Sequence, residues 1–127
     1  MITISHTKPD ELYICGSIED LQNFVTNFSS LVERNSNEFK VKAKRIDPTP
    51  YDHALGYLDV RVTDGPIKIS VISDFVLIEG SVNSMSSLSS FFDFDKSSHK
   101  GDHRHHEFFS GNEYIRSDSI PTVIGVG

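Results

Sequence analysis

Leu12-Tyr13-Ile14-Cys15-Gly16-Ser17-Ile18 and Val76-Leu77-Ile78-Glu79-Gly80-Ser81-Val82 are one device written twice. In each, a short apolar strand runs into Gly-Ser and then into an amphipathic stretch. Leu21, Phe24 and Phe28 carry that stretch in the first copy, and Met85, Leu88 and Phe92 in the second. These positions correspond at a constant offset of 64 in a chain of 127 residues. A repeat of half the chain length is the mark of an internal duplication, with halves of about 1–64 and 65–127.

Working outward from the two copies gives the remaining elements. Ser17 followed by Asp20 has the form of a capping box, and Glu19 and Asp20 place negative charge where a helix dipole favours it. Ile18, Leu21, Phe24, Val25, Phe28, Leu31 and Val32 then recur at the helical period as far as Arg34. In the second copy Ser81 caps a helix through about Phe92, but six serines between Ser81 and Ser90 make it a poor helix by propensity. A tertiary face must hold it.

Ile2 and Ile4 alternate with polar residues as a first strand, and Lys8-Pro9-Asp10 turns the chain into the strand ending at Cys15. Phe39 to Ile46 and Tyr57 to Thr63 follow the first helix. Ile67 to Val71 echoes the opening strand, Asp74 to Glu79 the second, and His103 to Phe109 and Thr122 to Val126 close the chain. Each half therefore reads strand, strand, helix, strand, strand. A helix needs a sheet face to cover its apolar side, so the pattern predicts one α+β domain: a largely antiparallel sheet with two helices packed on it.

The length suits one core without staples. The single cysteine, Cys15, lies in an apolar strand and cannot form an internal disulfide, which fits a reducing compartment. The first residues lack a basic segment backed by an apolar one, and no apolar run approaches 18 residues, so the expected location is cytoplasmic, with no membrane contact. A net charge of -6 disfavours nucleic acid and suits a basic partner. Lys40, Lys42 and Lys44 form the one basic stripe and read as a solvated or aggregation-blocking strand face.

The densest polar cluster is His99-Lys100-Gly101-Asp102-His103-Arg104-His105-His106-Glu107. On a strand, alternation puts His103, His105 and Glu107 on one side, a ligand set suited to zinc or non-haem iron. Asp93, Asp95 and His53 are the available additions. His106 reads as a hydrogen-bonded structural histidine. No Gly-x-Ser-x-Gly or phosphate-binding glycine loop is present, so no nucleophilic or cofactor chemistry is indicated. The stiff loop from Asp47 to Leu55, with Pro48, Pro50, Tyr51, Asp52 and His53, reads as a contact loop.

His103-Arg104-His105-His106-Glu107-Phe108-Phe109, with the trailer Gly111 to Ile124 containing Ser119-Ile120-Pro121, resembles the small immunity proteins of bacterial polymorphic-toxin and contact-dependent growth inhibition systems. The resemblance covers about the last 25 residues and the overall size. It implies a non-enzymatic single-domain α+β protein that binds a cognate toxin domain, a nuclease being one candidate, and blocks it by protein–protein contact without a cofactor. The expected contact residues are Asp93, Asp95, His99, Asp102, His103, His105 and Glu107, with Tyr51, Asp52 and His53 as a second patch. Two other readings stay open. One is a metal-binding protein or metalloenzyme using His103, His105 and Glu107. The other is a scaffold, monomeric or weakly dimeric, with Thr122 to Val126 or Phe39 to Ile46 at the seam.

Overall fold

The computed structural model describes residues 1–8 and 11–127. The turn expected at Pro9-Asp10 lies outside the described residues. The first half runs β1 (Thr3–Thr7), β2 (Glu11–Gly16), α1 (Ile18–Glu33), β3 (Glu38–Lys42), β4 (His53–Ala54) and β5 (Tyr57–Val62). The second runs β6 (Lys68–Ile72), β7 (Phe75–Gly80), α2 (Val82–Ser89), β8 (His103–His106) and β9 (Thr122–Val126). Only the two-residue β4, inside the expected contact loop, departs from the predicted order.

The strands divide into two sheets where the sequence pattern suggested one. Sheet 1 has the order β4-β1-β2-β9-β8 and sheet 2 the order β3-β5-β7-β6. Each half donates its first hairpin to one sheet and two later strands (β3 and β5, β8 and β9) to the other, while the short β4 turns back onto β1, so β2 pairs with β9 and β5 with β7, both in parallel. The other pairings are antiparallel. The fold is α+β, and the halves are interlocked rather than side by side. Their equivalence extends to single hydrogen bonds: Thr63 N donates to Gly80 O and Gly127 N to Gly16 O, each at 2.9 Å.

Both helices and the inner sides of both sheets share one apolar core. Phe24 stacks on Phe92 at 4.5 Å between ring centres, and Phe28 meets Phe39 edge-on at 5.4 Å, joining α1 to the α2 side and to sheet 2. Ser17 accepts from Asp20 N and Asp20 from Ser17 N, so the predicted capping box is formed. In α2, Ser84 takes the place of Asp20, and its hydroxyl donates to Gly65 O at 3.2 Å. That bond to the chain before β6, with Met85, Leu88 and Phe92 buried, is the tertiary hold its serine-rich composition requires.

Two boundaries shift for physical reasons. The α2 helix ends at Ser89 and tight turns carry the chain through Phe92. Strand β8 stops at His106, so Phe108 and Phe109 leave the sheet and stand exposed. The seam suggested at Thr122 to Val126 is corrected: β9 lies between β2 and β8 and has no free edge. Strand β3 is an edge, fringed by lysines that disfavour strand-on-strand pairing.

Candidate functional site

Strand alternation decides what each sheet shows to solvent. In β2, Leu12 and Ile14 enter the core, so Glu11, Tyr13 and Cys15 face outward. In β8, Arg104 and His106 face α2, while His103 and His105 are exposed on the outer side. The register lines these up as rows across sheet 1: His105-Val123-Tyr13-Ser5 and, next to it, His103-Gly125-Cys15-Thr3.

Gly125 is what makes this surface a place where rings can lie. A Cβ there would sit 3.0 Å from the Tyr13 hydroxyl and 3.1 Å from its ring, so any side chain would displace the tyrosine. The loop before β4 folds back over the same surface. Tyr51 stacks on Tyr13 with centroids 6.1 Å apart, anchored by Asp52 N donating to His6 O and to Thr7 Oγ1. Burial raises the pKa of Tyr13, helped by a hydrogen bond with the Cys15 thiol. Burial, then the charge of Glu11, raises that of Tyr51. Both phenols are therefore neutral at physiological pH.

Tyr51, His105 and Glu107 together line a depression of about 280 Å³ whose floor is Leu12, Thr122 and Val123. A second, of about 260 Å³, shares Glu107 and Pro121 with it and is walled by Phe108. Phe109 beside it is 63% exposed. The imidazoles of His103 and His105 lie 5.1 Å apart, edge to face, and His103 Nδ1 donates to Gly101 O at 2.9 Å.

The structure thus brings Tyr51, His103, His105 and Glu107 to one surface and leaves most of the other candidates in loop-forming roles. Asp93 accepts from Gln22 Nε2 at 2.7 Å, tying the loop after α2 to α1. Asp95 accepts from the Ser97 hydroxyl and then from Ser97 N, which together lower its pKa, and Asp102 accepts from His99 N at 2.8 Å. Asp52 is exposed at the loop tip, and His53 faces a different cavity, beside His6. Among the described residues, no group of three or more His, Cys, Asp or Glu side chains converges closely enough to hold a metal ion.

His106 is buried, but where the sequence suggested a hydrogen-bonded ring, its Nδ1 has no hydrogen-bond partner among the described residues. It is 1% exposed and held edge-on against Phe91 at 4.8 Å. Burial lowers its pKa to about 4, so it packs as a neutral ring. Its neighbour Arg104 donates to Ser90 O and Asp93 O and lies 4.2 Å over the Phe94 ring, closing the C-terminal end of α2.

Sequence reasoning passed over Tyr13, Gly125 and the exposed pair Phe108-Phe109 as contact residues. The signal for the first two was present: Tyr13 alternates with Leu12 and Ile14, and a glycine stands in an otherwise apolar final strand. No helix among the described residues is long and apolar enough to cross a membrane. No family model, curated protein or solved structure matches the chain.

Proposed function

We propose that the protein is a non-catalytic binder that grips another protein with the outer side of sheet 1, and that this partner is a cognate bacterial toxin domain. The observation that carries the reading is the assembly of Tyr13, Tyr51, His103, His105 and Glu107 over Gly125, with Phe108 and Phe109 projecting at the margin. Aromatic anchors beside shallow depressions, ringed by polar groups, are how protein interfaces concentrate their energy. The net charge of -6 favours association with a basic partner, such as a nuclease domain. The toxin assignment itself is supported by the resemblance of the C-terminal stretch to immunity proteins.

Co-expression with the product of the neighbouring reading frame tests this reading, scored by growth rescue and co-purification. Rescue by the wild-type chain and its loss in Tyr51→Ala/His105→Ala is the expected outcome. Growth arrest that the wild-type chain does not relieve would reject the toxin assignment.

A further inference from the structure

The interlocking of the halves creates a cavity that the outer surface of sheet 1 does not use. In β1 and β6 the equivalence runs at an offset of 65: Leu55 N donates to Ile4 O, and Ile120 N donates to Ile69 O, both at 2.9 Å. His6 then corresponds to Val71, Lys8 to Ser73 and Leu55 to Ile120, and all six line one cavity of about 830 Å³. The cavity therefore lies where the two equivalent edges face each other. Duplication alone would give it two matching walls.

The walls have diverged. One carries His6, Lys8 and, from β4, His53, with the two imidazoles 6.3 Å apart and His6 only 5% exposed. The other presents Val71, Ser73 and Ile120. No carboxylate stands among the described lining residues, and Asp74, next to Ser73, is engaged by Arg45. A pocket of this size with one basic, hydrogen-bonding wall and one apolar wall is suited to a drug-sized molecule with a charged end and an apolar body.

We propose that this cavity binds a small amphipathic carboxylate, with its head on Lys8 and His53 and its apolar body against Leu55, Val71 and Ile120. One negative charge matches the single ammonium. The His53 imidazole supplies a directional donor, and the length of apolar wall calls for a body that an inorganic anion lacks.

Octanoate is the probe, with octanol as its uncharged counterpart, each titrated into the full-length protein and followed by backbone and side-chain NMR shifts. Octanoate is expected to give saturable shifts confined to His6, His53, Leu55, Val71 and Ile120, and to bind at least about tenfold more tightly than octanol, as loss of a charge-assisted contact implies. The double variant Lys8→Ala/His53→Ala removes only exposed side chains and is expected to bring octanoate down to the level of octanol. Val71→Phe, which fills the apolar side, is expected to abolish both. Equal affinity for the two probes, shifts scattered outside the cavity, or undiminished octanoate binding in the double variant would overturn the proposal.

Discussion

The outer sides of the two sheets occupy equivalent positions in a duplicated fold, yet they have taken opposite courses. On sheet 2 the row Glu38-Arg61-Glu79-Lys68 alternates in sign. Arg61 bonds Glu38 at 3.1 Å and Asp59 at 2.8 Å, and Lys68 reaches Asp118 at 3.5 Å. Two rows along the same side, Tyr57 stacks on Phe75 at 4.7 Å. The equivalent row on sheet 1 is His103-Gly125-Cys15-Thr3, which carries no Asp, Glu, Lys or Arg. A surface whose charges are paired within itself has little to offer a partner. One that holds neutral rings over a glycine, with open depressions beside them, retains its interaction capacity.

The largest expected effect concerns the inner side of β8, where His106 stands at the position that Val41 holds in sheet 2. The folded-state pKa of about 4 lies below the ordinary value of 6.5. Between those values the unfolded chain therefore binds more protons, and the contribution of His106 is fully present above pH 6.5 and lost as pH falls toward 4. The loss amounts to about 3 kcal/mol. Urea unfolding across that window should show it, and His106→Val should flatten the profile. An unchanged slope in the variant would mean that another group drives the acid sensitivity.

Exchanging the residues that distinguish the outer sides comes next. Gly125→Arg places on sheet 1 the residue found at the equivalent position of sheet 2, and its Cβ meets the Tyr13 ring. Overpacking of this kind costs about 1–3 kcal/mol, and the displaced tyrosine should abolish partner binding even where the variant remains folded. Binding at wild-type strength by a folded Gly125→Arg would remove Tyr13 from the contact surface.

A smaller effect is expected from Arg61→Ala. Asp59 is 1% exposed, and its pKa is raised first by burial and then by Glu38, with Arg61 opposing. Among the described residues Asp59 Oδ1 has no hydrogen-bond partner, and the Arg61 guanidinium holds Oδ2 at 2.8 Å. Removing Arg61 should lower the melting temperature by roughly 3–6 °C while leaving partner binding unchanged. Asp59→Asn in the same background should recover much of the loss, because an amide has no charge to bury. The sign of the pH effect follows: a raised carboxyl pKa means that Asp59 favours folding most at acid pH and less as pH rises through its folded value.

Local structure was legible because local physics fixes it. The Ser17 cap, the helical period through Leu31 and the apolar strands at Leu12 and Val76 needed no distant contact to be read. What the pattern could not carry was pairing. An apolar strand such as Thr122–Val126 states that it is buried, not that its neighbours are Leu12 to Gly16 and the histidine strand, so one sheet was expected where the exchange of strands makes two. The site was legible in part for the same reason. Alternation correctly separated His103 and His105 from His106, but the folding-back of Tyr51 onto Tyr13 joins residues 38 apart in sequence, which no periodicity reports. The acidic candidates Asp93, Asp95 and Asp102 looked available because sequence does not show the backbone and side-chain donors that occupy them.

The most direct measurement compares the two outer sides against one partner. Titration calorimetry with the proposed partner, the product of the neighbouring reading frame, would use Tyr51→Ala/His105→Ala on sheet 1 and Lys40→Ala/Glu79→Ala on sheet 2. Loss of two anchor contacts should weaken the first variant by about thirtyfold or more, with the second staying within about twofold of wild type. Equal weakening of both, or a loss confined to the sheet 2 variant, would contradict the account.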